Sequence, residues 1–144
     1  MTDITGYIPE LIEKAFDMRK FSYAPYSHFR VGAALLSEKG VIYGGCNIEN
    51  AAYGPSNCAE RTAFFKAISE GEHDFVAIAI AGGAEDASEF GYCAPCGVCR
   101  QVMAEFCNPE SFKIILPINA EDYKIFTLKE LFPESFSSQN LIKT

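Results

Sequence analysis

Residues 75–83, FVAIAIAGG, and 95–107, PCGVCRQVMAEFC, decide the fold. The first is a continuous apolar run of strand length, the mark of a strand covered on both faces. The second has Pro95 at its entry and apolar residues at helical spacing, so it predicts a helix. A buried strand that leads into a helix is the unit from which α/β layers are built.

The same alternation continues outward. CAERTAFFKAISEG, residues 58–71, predicts a second helix, with Asn57 as its cap and Gly71 as its stop. RVGAALLSEKGVIYGGCNIEN, residues 30–50, reads as two strands around a turn at Lys39-Gly40. IPELIEKAFDMRKFSY, residues 8–23, carries apolar side chains at mostly helical spacing, with Pro9 near the first turn. KIILPIN, residues 113–119, is another buried strand, and Pro117 places its end at an edge or bulge. YKIF, residues 123–126, offers a fifth strand, and TLKELFP, residues 127–133, a short helix capped by Thr127. The expected fold is an α/β domain of three layers, α-β-α, with a mixed sheet of about five strands. Residues 1–144 form one domain by length.

Composition narrows the function. Apolar residues make up 49% and charged residues 22%, the balance of a soluble globular chain. No apolar run reaches the roughly 18 residues of a membrane span. MTDITGYIPE has neither a basic start nor an apolar core, so no secretory signal is expected and the cytoplasm is the expected location. Reduced cytosolic thiols direct clustered cysteines towards metal or catalysis more than towards disulfides. The net charge of −7 and the lack of a basic cluster argue against nucleic acid as a partner.

The cysteines carry the chemistry. Cys96 and Cys99 stand three apart at a helix start, so both point from one face, where the helix dipole and free N–H groups favour thiolates. Cys58 opens the other central helix. If the two helices start side by side, Cys58, Cys96 and Cys99 converge, and three thiolates with an open fourth position form a catalytic zinc pattern. Glu60 then reaches the open position without ligating the metal. Arg61 and Arg100 are both placed to donate hydrogen bonds to thiolates, offsetting the net single negative charge of such a centre.

Cys58-Ala59-Glu60 followed by Pro95-Cys96-x-x-Cys99 is the signature of the zinc nucleobase deaminases, in the form with cysteine in place of the first histidine. With YAPYSHFRVGAAL (23–35), GCNIENAAYGPSNCAERTAFFKA (45–67), PCGVCRQVMAEF (95–106) and ELFPESFSS (130–138), the chain resembles the small homotetrameric cytidine deaminases of pyrimidine salvage. The resemblance implies one Zn2+ per subunit on Cys58, Cys96 and Cys99, and hydrolysis of cytidine and deoxycytidine to uridine, deoxyuridine and ammonia. Hydroxide on the zinc attacks C4 of the base while Glu60 shuttles protons. The resemblance prefers Arg61 over Arg100 as the thiolate's donor. It puts Asn47 and Glu49 on the ribose 3′-hydroxyl, and their alternation along a strand lets both face the same side. Glu49 beside the sugar repels a phosphate, which favours a free nucleoside. It also places Phe29 against the base, Tyr53 near the sugar, backbone groups of Ala59 and Ala94 on the pyrimidine edge, and Phe136 in a neighbouring subunit's pocket.

Plainer readings stand beside these. Asn57 and Glu60 have capping-box spacing. C-x-x-C-x-x-C resembles the start of a ferredoxin motif, although Met103 and Ala104 stand where the next cysteine and proline belong. Cys93, for which the resemblance supplies no role, would close a structural zinc site as a fourth ligand in a non-catalytic binding module. Within the enzyme class, a cytosine-containing antibiotic nucleoside is an alternative substrate. Cys46 and Cys107 read as buried small apolar side chains, and His28 and His73 as exposed loop residues.

Overall fold

A computed structural model of the chain describes residues 3–142. Its strands are β1 (Phe29–Ser37), β2 (Ile42–Cys46), β3 (Phe75–Ala84), β4 (Lys113–Pro117) and β5 (Tyr123–Thr127). The helices are α1 (Ile8–Met18), α2 (Ala59–Ser69), α3 (Gly97–Phe106), α4 (Leu128–Leu131) and α5 (Gln139–Ile142). The strands form one mixed sheet in the order β2-β1-β3-β4-β5, in which only β3 and β4 are parallel. The expected α/β architecture of five strands is therefore present. Among the described residues no helix is long and apolar enough to cross a membrane.

Strand parity divides the core between the two faces. Ala34 and Leu36 of β1, Ala77, Ala79 and Ala81 of β3, and Ile115 of β4 face α1, where Ile8, Leu11, Ile12 and Ala15 meet them. Ala33 and Leu35, Ile78 and Ile80, and Ile114 and Leu116 face the opposite layer of α2 and α3, joined by Ala63, Phe64 and Met103. Covering both faces explains why β3 reads as an uninterrupted apolar run. Each fully buried Leu or Ile contributes about 1.5–3 kcal/mol. β4 loses its β3 partner after Ile115, so Pro117 has no strand on that side, while it pairs with Tyr123 of β5 on the other.

The turn before β2 uses Gly40 at φ +88°, and Gly71 follows α2 at φ +96°, as the turn and stop signals require. Thr127 caps α4 in a reciprocal capping box with Glu130.

Two expectations need correction. Asn57 is not the cap of α2. Cys58 takes that place in extended conformation, and the Asn57 amide donates instead to Thr62 Oγ1 at 3.2 Å. The Asn57–Glu60 capping box is therefore not formed, because the helix begins one residue later than the box requires. Asn47 and Glu49 also lie beyond the strand expected to carry them, since β2 ends at Cys46. The chain there is held by single bridges, Ile48 to Tyr23 and Ile48 to Asn57, which steer it away from the ladder towards α2.

One close approach sets the position of α2. A Cβ on Gly45 would lie 2.5 Å from the carbonyl oxygen of Ala59 and 2.6 Å from the nitrogen of Ala63. The first turn of α2 thus rests directly on the backbone of β2.

Candidate active site

The N-caps of α2 and α3 are both cysteines, Cys58 and Cys96, both extended, and neither side chain caps the backbone N–H groups of its helix. Their sulfurs are free to turn outward from the two helix tips. Cys58 Sγ stands 3.7 Å from Cys96 Sγ, and Cys96 Sγ stands 3.5 Å from Cys99 Sγ. A tetrahedron built on Zn–S bonds of about 2.3 Å has edges of about 3.8 Å. The three sulfurs therefore fit three vertices of a zinc site, with all donor atoms within 4.8 Å of one another. Among the described residues they are the only such cluster of His, Cys, Asp or Glu. Cys93 does not belong to it. Its sulfur sits where a Cβ on Gly82 would be only 2.6 Å away, and the ring of Phe29 closes on the same point at 3.2 Å.

Beside the sulfurs opens a cavity of about 490 Å³ whose walls include Asn47, Glu49, Tyr53, Ala59, Glu60 and Ala94. Those six residues, expected together from the sequence, are brought together here. Cys93 and Arg61 also line it, while Phe29 and Phe136 stand outside the lining. Phe136 is 56% exposed, and its carbonyl accepts a hydrogen bond from Gln101 at 2.7 Å. A larger cavity, about 620 Å³, lies at the other end of the sheet, around Asp74, Phe75 and Lys113. Among the described residues it has no cluster of metal donors.

Asn47 bridges the start of β1: its Nδ2 donates to the Phe29 carbonyl at 2.8 Å and its Oδ1 accepts from the Val31 N–H at 2.9 Å. Glu49 accepts from the backbone N–H groups of Tyr26 and Ser27 at 3.0 and 3.1 Å, and from the Ser27 hydroxyl. Tyr53 holds φ +61°, uncommon for a residue with a bulky side chain. Nothing in the sequence marks Ser27 as a partner of Glu49, because the two are distant in the chain and meet only through the loop.

The description of one known family, the cytidine and deoxycytidylate deaminase zinc-binding region, matches residues 8–114. The chain belongs to this deaminase family. A cytidine deaminase of Sporosarcina psychrophila is 48% identical over 134 residues, which cover 93% of this chain and 94% of the relative. One from Halalkalibacterium halodurans is 47% identical over 131 residues, covering 91% of this chain and 95% of the relative. Among solved structures, cytidine deaminase from Burkholderia pseudomallei is 44% identical with a TM-score of 0.79, covering 88% of this chain and 97% of that one.

Zinc, the metal of the deaminase family, suits the three sulfurs on donor chemistry as well as spacing. In this deaminase-family chain the surroundings favour thiolate at Cys58. Arg61 Nη2 donates to Cys58 Sγ at 3.3 Å. Arg100 takes no part in this: it donates to the carbonyls of Pro95 and Leu131. In the metal-free protein Cys58 is lowered to about 5, chiefly by a hydrogen bond from the Cys99 thiol and then by Arg61. Cys99 keeps its proton, held up by that same bond to Cys58. Burial alone would lower the Arg61 guanidinium, but the two sulfurs outweigh it and raise its pKa. Glu60, 4% exposed, is pushed up to about 7 by burial. Burial also raises the Cys93 thiol to about 11, so it stays protonated.

Proposed function

We propose that the chain is a zinc-dependent hydrolase that converts cytidine and deoxycytidine to uridine and deoxyuridine with release of ammonia. The observation that carries this reading is the buried carboxyl of Glu60 in the same cavity as the three clustered sulfurs. A structural zinc site has no use for a buried acid beside it. Nor does Cys93 close the fourth position, because its sulfur is turned to Gly82.

Zinc held by Cys58, Cys96 and Cys99 supplies a Lewis acid that acidifies water for attack on the carbon bearing the amino group. The protein's own residues do the rest. Glu60, buried in the wall of the cavity, takes a proton from water and delivers protons to N3 of the pyrimidine and to the departing amine. Arg61 keeps Cys58 as a thiolate and fixes its direction. Asn47 and Glu49 bind the ribose 3′-hydroxyl, which cytidine and deoxycytidine share. Glu49 is held below the ordinary carboxylate range, first by the Ser27 hydroxyl, so it is an anion at neutral pH and repels a nucleotide's phosphate. Tyr53 flanks the sugar, Phe29 packs against the base, and backbone groups of Ala59 and Ala94 read its edge.

Phe136 reaches the pocket of a neighbouring copy, which makes the working unit a homotetramer. Its exposure in the single chain and its place outside the chain's own cavity lining support this. A free nucleoside substrate places the enzyme in pyrimidine salvage in the cytoplasm, as one domain. The test is direct: purified protein is mixed with cytidine, uridine and ammonia are assayed, and zinc is counted per chain. Zinc-loaded protein that leaves cytidine unchanged refutes the reading.

A further inference from the structure

Glu49 does not face the cavity unsupported. Its Oε1 accepts the backbone N–H groups of Tyr26 and Ser27, at 3.0 and 3.1 Å, and its Oε2 accepts the Ser27 hydroxyl. The same hydroxyl oxygen accepts the N–H of Phe29 at 3.0 Å. A serine hydroxyl has one proton. Since an amide N–H can only donate, the Phe29 contact takes a lone pair and leaves the proton for Glu49. The polarity of the chain Phe29 N–H to Ser27 to Glu49 is therefore set by chemistry alone.

The network reaches the other polar wall as well. Asn47, bonded to Phe29 and Val31, is tied to the same short stretch of backbone as Ser27. His28, between Ser27 and Phe29, takes φ +57°, an uncommon conformation for a residue with a side chain. That turn lets the N–H groups on both sides of His28 point inward, towards Glu49 and Ser27. Two N–H donors saturate Oε1. With the Ser27 proton on one lone pair of Oε2, the remaining acceptor site of that oxygen has a fixed direction.

We propose that Ser27 is a positioning residue for the nucleoside's sugar, acting through Glu49. It orients the one carboxylate oxygen that is left to accept a hydroxyl. This rests on the reading of the chain as a nucleoside deaminase with Glu49 on the 3′-hydroxyl.

The experiment compares zinc-loaded wild type, Ser27→Ala, Ser27→Thr, Glu49→Ala and the Ser27→Ala/Glu49→Ala double variant on cytidine and 3′-deoxycytidine. Ser27 is exposed on a loop, so its variants keep the fold, and their melting temperatures check this. Ser27→Ala is expected to raise KM for cytidine about 3- to 10-fold, the effect of one hydrogen bond, with kcat within about twofold. Its KM for 3′-deoxycytidine stays at the wild-type value. Ser27→Thr restores the cytidine KM because the hydroxyl returns. In the Glu49→Ala background, Ser27→Ala adds less than about twofold to the loss in kcat/KM.

Equal losses on both substrates, a fall confined to kcat, or no change overturn the proposal while leaving the deaminase reading intact. Wild type that turns over both nucleosides with equal KM overturns the sugar role of Glu49, and the proposal with it. Wild type inert towards cytidine removes the deaminase reading itself.

Discussion

The sulfurs of Cys58 and Cys96, 38 residues apart in the chain, stand 3.7 Å from each other at the N-caps of two helices. Both helices lie on one face of the sheet, and both begin at the same end of it. The sulfurs there meet the positive ends of two helix dipoles, and Cys58 also meets the Arg61 guanidinium. The metal centre is thus a property of how two helices start, and the remaining expectations can be tested from that point.

Cys58→Ala is expected to reduce zinc from about one ion per chain towards none, because two thiolates and no replacement leave an incomplete tetrahedron. Cys93→Ala is expected to keep the metal, since its sulfur lies against Gly82 and outside the cluster. Elemental analysis of both purified variants decides this. Zinc lost from Cys93→Ala would show that Cys93 closes the site.

Glu60→Gln should retain zinc and lose about 10²–10⁴-fold in kcat, the range of a positioned general acid/base. The zinc-free protein adds a second readout. Glu60 titrates at about 7 in the fold against an ordinary 4.5, because burial disfavours its charge. Below the ordinary value the carboxyl is protonated both folded and unfolded, and nothing is lost. As pH rises towards 7 the unfolded chain releases this proton and the fold resists, so stability falls and then levels off about 3 kcal/mol lower. Zinc-free Glu60→Gln should therefore melt higher than the parent at about pH 8 and alike at about pH 4. Thermal melts in chelator check the sign.

Gly45→Ala is expected to destabilise the protein by about 1–3 kcal/mol, as overpacking does. The added methyl would meet Ala59 O at 2.5 Å, and that carbonyl belongs to the residue after Cys58. Zinc affinity should fall together with the melting temperature, since the first turn of α2 must lift. A variant that loses stability but binds zinc normally in a chelator competition would uncouple the helix from the centre.

Arg61→Gln is expected to weaken zinc binding about 10- to 100-fold, the usual effect of removing a ligand's hydrogen-bond partner. Arg100→Gln should have no such effect, because its guanidinium serves the carbonyls of Pro95 and Leu131. Competition against a chromogenic chelator ranks the two. Equal losses would mean that overall charge, not the contact at 3.3 Å, governs the sulfurs.

Phe136→Ala should leave the fold of each chain intact, as its circular dichroism spectrum checks, because the ring is 56% exposed in the single chain. Activity should fall nonetheless. Reassembling it with Glu60→Gln chains should recover part of the turnover, since hybrid pockets then pair an intact Glu60 with an intact Phe136. Absence of any recovery in mixed assemblies argues that the pocket is built from one chain.

Local signals carried most of the fold. The apolar run of β3 marked a strand buried on both faces, and Gly40, Gly71 and Thr127 stand where turn, stop and cap were expected. Asn57 is the better intrinsic cap, yet Cys58 holds that place, and Asn57 is instead bridged to Ile48 just ahead of the helix. The strand expected to carry Asn47 and Glu49 stops at Cys46 for a similar reason: non-local hydrogen bonds draw the chain off the ladder.

Residue types and spacings by themselves determined the α/β class, the trio of candidate ligands and the acid beside them, since helical period and metal-donor chemistry are local properties of the chain. Only the tertiary structure decided that Cys93 is a packing residue against Gly82, that Arg61 and not Arg100 touches a sulfur, and that Ser27 holds Glu49. Each of these depends on which atoms meet across segments remote in sequence. Such meetings are set by the packing of α2 and α3 on the sheet, which no local pattern encodes.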